Sequence, residues 1–377
     1  MRFQDIPGLH VVKKQLSNAV QNQHIAHAQL FQGPMGGAQT AMAFAFISYL
    51  FCTQRDGDDA CGVCPSCQKV HKGIHPDIVY VFPSITTKKV KEAESDAFLP
   101  EWRKFMLESP YRTIADWLTY LGAEGNRQGN IPVEETRKLI QKISLKPFEA
   151  PFKIVLIWNA ETLNLSSGNA LLKTLEEPPS STLFILICSD PQKLLTTIIS
   201  RTQRINVGTV DELDLAPFLT QKTGIEMEKA QQLAITCEGN ISWALEKAVN
   251  ENMSATTWFA EWMRAVYSKN LIKISLLADQ FDAFSKEDQK SVLEHTLHIF
   301  RQCLYQISGT SQLIKSLEKE RGFIENFSKT LTGEAIGKMS EKVSEVHYHL
   351  ERNARAKMLH LDLSLQLIRI FPCEKLK

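Results

Sequence analysis

The period of the apolar positions changes once along the chain. Up to Val207, short apolar runs rich in β-branched residues alternate with amphipathic stretches; beyond it the runs stop and the spacing stays helical. Lys153 to Ile157 and Thr182 to Ser189 read as buried strands, as do Ala28 to Phe31 and Ile78 to Phe82. Between them the spacing predicts helices over His10 to Asn22 (Val12, Leu16 and Val20 inward), Ala41 to Cys52, Ile131 to Ile140 and Gly168 to Glu177. The last carries Leu171, Leu172 and Leu175 on one face, and Pro178-Pro179 stops it, since proline lacks the N–H and clashes with the turn before it. A short helix, Lys193 to Ile199, then delivers Ser200-Arg201 to an exposed end. Strand and helix in alternation imply a parallel sheet with crossover helices. Sites in such sheets lie at the carboxyl ends of the strands, where Trp158, Asn159, Ser189 and Asp190 fall.

The fold class expected is therefore α/β followed by all-α. Residues 83–130 have no clear period, yet Trp102, Tyr111, Trp117 and Tyr120 argue against disorder, and the stretch reads as a partly helical insertion of unknown role. Past Val207, Val210 to Gly224, Glu226 to Glu238 and Ile241 to Val249 read as short helices, and a long amphipathic pattern runs from Ala255 to Phe371.

Composition narrows the class. Apolar residues make up 44% and charged residues 23%, with a formal net charge of +1, which argues against a strongly basic nucleic-acid coat. No apolar run is long enough to span a bilayer, and Met42 to Phe51 is too short and too far in for a signal peptide, so a cytoplasmic chain without membrane partners is expected.

A glycine-rich stretch, Gly33-Pro-Met-Gly36-Gly37-Ala-Gln39-Thr40, joins the first strand to a helix N-terminus, the geometry that cradles phosphate. A working loop reads G-x-x-x-x-G-K-[ST], its lysine reaching the phosphates and its hydroxyl holding Mg²⁺. Here Ala38 replaces the second glycine and Gln39 the lysine, and Trp158 and Asn159 stand where acidic metal ligands would follow the strand. Cation, metal ligand and water-activating group are all missing, so ATP hydrolysis by this chain is not expected. Glu161 reads as a solvated residue or a local cap.

Half of the eight cysteines crowd into Cys52-x8-Cys61-x2-Cys64-x2-Cys67. In a reducing compartment four thiolates at such spacing read as a structural Zn²⁺ site, with no position left for a catalytic water. An iron–sulfur run and free thiols are the alternatives, and His71 or His75 is an alternative ligand for one thiol. Arg201 is the last candidate: an arginine at a helix end can reach phosphates on a neighbouring subunit and stabilise transferring charge. The bland alternative is an ordinary salt-bridged surface arginine, and Arg204 stands close by.

Several of these segments, in order, resemble the delta-prime subunits of the bacterial DNA polymerase III clamp loader. Asn169-Ala-Leu-Leu-Lys-Thr-Leu-Glu-Glu-Pro-Pro179 is similar to that family's most recognisable segment almost letter for letter. Ser200-Arg201 sits where the family carries Ser-Arg-Cys, with Thr202 in place of the cysteine; the cysteine module, His24-Ile-Ala-His-Ala28 and His75-Pro-Asp77 fit as well. The likeness is dense over residues 1–82 and 131–206, diffuse in the C-terminal helices and absent over 83–130.

The resemblance implies an AAA+ architecture. It comprises an α/β module at 1–206 (zinc insertion about 52–72, second insertion about 83–130), a helical lid at 207–252 and a helical collar at 253–377 that joins subunits in a ring. In the lid, Gly239-Asn-Ile-Ser242 lacks the arginine with which active relatives sense nucleotide. The function implied is a non-hydrolysing stator that helps load the sliding clamp on primed DNA, with gamma/tau-like ATPase subunits and the delta subunit as partners. Arg201, with Ser200, would complete a neighbour's ATP site in trans. The alternatives are a divergent catalytic ATPase subunit, which Gln39, Trp158 and Asn159 disfavour, and a zinc-containing DNA-binding module, for which Lys69, His71 and Lys72 offer only a small positive patch.

Overall fold

The computed structural model describes residues 1–87, 90, 93–123, 129–249, 255–284, 286–310, 314, 318–351 and 354–371. The expected lid–collar boundary near residue 252, parts of the 83–130 insertion and parts of the long helical pattern lie outside them. The chain divides into two compact units, Met1–Glu246 and Lys247–Lys377.

In the first unit, α1 (His10–Gln21) leads to β1 (Ala28–Gln32), α2 (Gln39–Phe51) and the short α3 (Pro65–His71). Then come β2 (Ile78–Val81), α4 (Leu99–Glu108), α5 (Ile114–Tyr120), α6 (Val133–Ile143) and β3 (Lys153–Ile157). The series continues with α7 (Leu165–Glu176), β4 (Thr182–Cys188), α8 (Thr196–Ile199) and β5 (Gln203–Asn206), then α9 (Glu212–Thr223) and α10 (Met227–Thr236), and closes with the first residues of α11 (Ile241–Val249), whose end falls past Glu246. The sheet order is β2-β3-β4-β1-β5, and every pairing is parallel. The expected helix over Lys193 to Ile199 is in fact a 3₁₀ turn at Pro191–Lys193 followed by α8, because Asp190 caps the turn through Gln192 N–H at 3.1 Å.

Both faces of the sheet are covered, which is why the central strands carry near-continuous apolar runs. Ile154 and Leu156 of β3, with Ile185 and Ile187 of β4, pack toward α2. The alternate residues Val155, Ile157, Phe184 and Leu186 pack toward Leu139 of α6, Leu171 and Leu175 of α7 and Ile198 of α8. All thirteen residues of α2 are buried, as expected of a helix that is apolar all round.

The 83–130 insertion builds core rather than an appendage. Trp102 stacks on Phe82 with ring centroids 5.0 Å apart, Trp117 meets Phe82 edge-on at 5.6 Å, and the Trp117 indole donates to the Pro83 carbonyl at 2.8 Å. Glu135 on α6 anchors the segment by accepting from Ser95 N–H at 2.9 Å.

Among its described residues, the regular structure of the second unit is all helix: α12 (Ala255–Tyr267), α13 (Leu271–Ala283), α14 (Lys286–Ile307), α15 (Glu318–Ser328), α16 (Gly333–Glu351) and α17 (Ala356–Ile370). Its core centres on Phe259, Trp262, Phe281, Phe300 and Leu363. Among the described residues no helix is long and apolar enough to cross a membrane.

Candidate functional site

Strand β1 runs into the glycine-rich loop, and α2 starts at Gln39, so its first turn sits against the carboxyl ends of β3 and β4. Gln39 and Thr40 are both buried. The Gln39 carboxamide donates to the Pro34 carbonyl at 3.0 Å and to the Ser189 hydroxyl at 3.1 Å, spanning the loop and the end of β4. Its oxygen lies so close to Gly33 and Gly37 that a Cβ on either would come within 2.9 Å of it. The Gln39 side chain therefore lies inside the loop.

The side of the loop that faces the end of β3 is closed in the same way. Trp158, the residue after β3, donates its indole N–H to the Thr40 hydroxyl at 3.2 Å. Its ring meets Phe105 of α4 edge-on at 6.2 Å, which links the loop to the insertion's aromatic core. Asn159 is buried with φ of 52° and starts a 3₁₀ turn. From the third side α11 arrives: Ser242 N–H donates to the Gly36 carbonyl at 3.0 Å, and Asn240 Oδ1 accepts from Trp243 N–H at 3.0 Å. Gly36 has φ of +70°, and a Cβ there would lie 2.0 Å from Asn240 Oδ1, so glycine is required twice over.

Glu161 differs from the solvated residue expected. One carboxylate oxygen accepts from Ser189 N–H at 2.9 Å and Asp190 N–H at 3.3 Å, tying the turn after β3 to the end of β4. Burial raises its pKa, against the opposing pull of those backbone N–H groups. It is a cap, as the other expectation held, but across the sheet rather than along its own helix.

The cysteines come together. Cys52 ends α2, Cys64 precedes α3, and the Sγ atoms of Cys52, Cys61, Cys64 and Cys67 all lie within 4.8 Å of one another, with 4.0 Å between those of Cys61 and Cys67. Thiolates about 2.3 Å from a tetrahedral zinc would stand about 3.8 Å apart, so the cluster fits the ion with little adjustment. Backbone N–H groups point at the sulfurs, Cys61 N–H at Cys52 and Cys64 N–H at Cys61, each at 3.3 Å. Burial pushes the Cys52 and Cys67 thiols up; at Cys64 it is outweighed by hydrogen bonds from Cys67 and Thr53, which bring that thiol down to about 6. His71 and His75 stand outside the cluster: His75 faces Glu149 at 3.2 Å. Asp77, from the same His-Pro-Asp segment, accepts N–H bonds from Phe148, Glu149 and Ala150 and fixes the entry to β3.

Arg201 follows α8 on the surface. Its Nε donates to Glu176 Oε1 at 2.5 Å, a second guanidinium nitrogen also pairs with Glu176, and the third reaches the Thr197 carbonyl at 2.9 Å and the Ser200 hydroxyl at 3.4 Å. Thr202, which stands in place of the cysteine of the Ser-Arg-Cys motif, donates to the Ile198 and Ile199 carbonyls and so closes the end of α8. Arg204 lies on the exposed face of β5, in register with Leu30, apart from the Arg201 cluster.

A family model described as "DNA polymerase III, delta subunit" matches residues 8–211. Among curated relatives, the delta' subunit of DNA polymerase III from Bacillus subtilis is 25% identical over 94% of this chain and 95% of its own length. The tau/gamma subunit from Haemophilus influenzae is 29% identical over 63% of this chain. The chain spans between 26% and 58% of the length of the tau and tau/gamma relatives that it matches. A solved DNA polymerase III gamma subunit-related protein from Thermotoga maritima aligns over 94% of this chain and 99% of its own, with 13% identity and a TM-score of 0.44.

Proposed function

The chain belongs to the DNA polymerase III delta-subunit family, and on that premise we propose that it is a delta-prime-like clamp-loader subunit that does not hydrolyse ATP. It acts as a stator in a complex with ATPase subunits and a delta subunit, and it helps to place the sliding clamp on primed DNA. One observation carries the first half of this reading: the loop that would hold phosphate contains Gln39, and Trp158 holds the Thr40 hydroxyl that would otherwise be free for a metal. Rebuilding the site would require a cation, a carboxylate and the removal of a buried indole.

The second half concerns Arg201, with Ser200, as a finger acting in trans on a neighbour's ATP. A residue of this kind contributes roughly 10³ to 10⁵ in rate in well-studied NTPases. Supporting it is the placement of Arg201 just beyond α8 on a surface, next to the family's Leu-Glu-Glu-Pro-Pro segment. The domain roles follow the same reading: an AAA+ module at 1–206, a lid at 207–252 and an oligomerising collar at 253–377. Zn²⁺ is its structural cofactor, held by Cys52, Cys61, Cys64 and Cys67. Matches to tau and gamma subunits favour a second reading, a divergent ATPase subunit. Two measurements separate them. Calorimetric titration of the isolated chain with MgATP should give no binding heat. In the reconstituted complex, Arg201→Ala should collapse DNA- and clamp-stimulated turnover without changing assembly on a sizing column. MgATP hydrolysis by the isolated chain would overturn the stator reading.

A further inference from the structure

Every nitrogen of the Arg201 guanidinium is engaged within its own chain. Glu176 takes Nε and one terminal nitrogen, the edge through which an arginine clasps a carboxylate or a phosphate two-handed. The remaining nitrogen rests on the Thr197 carbonyl and the Ser200 hydroxyl. A phosphate group on a neighbour would have to compete with Glu176 for the same edge.

The partners are held in place by packing. Glu176 is the last residue of α7, just ahead of the Pro178-Pro179 stop, so its backbone is fixed. Near the other end of that helix, Gly168 lets α8 approach: a Cβ there would come within 2.6 Å of Leu195 Cδ1. Helix and turn are thereby set side by side, with Glu176 and Arg201 at matching ends. The pair is half exposed, at 47% and 32% of the side-chain surface, so water weakens it and a polyanion can displace it.

We infer that Glu176 is a positioning residue that parks Arg201 on its own chain until a neighbouring subunit presents nucleotide phosphates to it. The inference rests on the proposed role of Arg201 in trans. Parking keeps the fraction of chains with a free finger low, so the neighbour's hydrolysis waits for a correctly closed interface. Release exchanges one anion for another on the guanidinium, with no covalent step.

The test uses the full complex, reconstituted with the ATPase subunits and sliding clamp of the same organism. ATP turnover is measured with and without primed DNA for wild type, Glu176→Gln, Glu177→Gln, Arg201→Ala and the Glu176→Gln/Arg201→Ala pair. Glu177, the adjacent exposed acid, controls for surface charge. Glu176→Gln should raise DNA-free turnover about 2- to 5-fold, the scale of a relieved partly exposed ion pair. The KM for ATP should stay constant, Glu177→Gln should match wild type, and the double variant should fall to the level of Arg201→Ala. Unchanged or lower turnover in Glu176→Gln, with Arg201→Ala still inactive, overturns the parking role and leaves the finger standing. Full turnover in Arg201→Ala overturns the finger itself, and the parking role with it.

Discussion

The indole N–H of Trp158 donates to the hydroxyl of Thr40 at 3.2 Å, joining the end of β3 to the first turn of α2. In a working phosphate loop that hydroxyl faces a metal ion; here it faces an aromatic ring that belongs to the core. Trp158 is 1% exposed and touches Phe105. Trp158→Ala should therefore cost about 3–5 kcal/mol, read as a fall in the urea midpoint. Gln39→Lys alone should not create nucleotide binding, because the indole and Asn159 still occupy the metal side. Measurable MgATP affinity in Gln39→Lys would show that the loop is closed less firmly than these contacts imply.

The cysteine cluster gives a prediction with a definite sign. At pH 7 the Cys64 thiol, brought down to about 6, is already ionised, whereas burial keeps Cys52 and Cys67 protonated. Zinc requires thiolates, so its uptake should release at least two protons per ion, from Cys52 and Cys67, and affinity should fall steeply as pH drops. Titration in buffers of different ionisation enthalpy counts the protons. Metal analysis of the purified chain should give one zinc, lost in Cys64→Ser and Cys67→Ser. Stripping it should loosen the residues between α2 and α3, seen as new protease cuts there. Iron in place of zinc would favour the iron–sulfur alternative.

Glu161 offers a pH test inside the fold. Removing it with Glu161→Ala leaves Ser189 and Asp190 N–H without an acceptor and should cost about 1–3 kcal/mol. Glu161→Gln keeps an acceptor oxygen and should cost far less. Burial raises the folded-state pKa above the ordinary 4.5, so the folded chain holds this proton more tightly than the unfolded one. The stability it contributes is full below pH 4.5 and is lost as pH rises through the folded-state pKa. The wild type should thus gain on Glu161→Gln on going from pH 7 to 4.5, compared by denaturant melts at each pH. Parallel curves for the two proteins would mean that the carboxylate titrates as an ordinary surface acid.

What could be read from the residues alone follows from how local each signal is. The parallel strands were legible because a sheet covered on both faces leaves uninterrupted runs such as Lys153 to Ile157. The cysteines were legible because ligand spacing is itself local. The insertion was legible only as partly helical, which α4 and α5 bear out; its packing was not, because Trp102, Trp117 and Phe105 meet Phe82 and Trp158 across the fold rather than along one helix. Glu161 read only as a solvated residue or a local cap because the N–H donors to its carboxylate lie 28 and 29 residues away at the end of β4. The Glu176–Arg201 pair joins two segments that were each singled out, yet only the packing of α7 on α8 brings them into contact.

That packing is itself open to test at Gly168. Glycine inside a helix costs about 1 kcal/mol relative to alanine, so on helix propensity alone Gly168→Ala would stabilise α7. Against this stands the contact a methyl would make, 2.6 Å from Leu195 Cδ1 and 3.5 Å from Ile198 Cδ1, where overpacking costs about 1–3 kcal/mol. Leu195 is partly exposed and can turn away, so the net loss should be small, within about 2 kcal/mol, and the chain should stay folded. The larger effect should appear in the complex. On the role in trans proposed for Arg201, pushing α8 off α7 would move it away from a neighbour's phosphates, and a shift of about 1 Å at a catalytic group can cost 10²-fold in rate. Gly168→Ala should therefore lower stimulated ATP turnover much more than it lowers the melting midpoint. Equal turnover with an unchanged melt would mean that Leu195 absorbs the methyl and that Arg201 keeps its place.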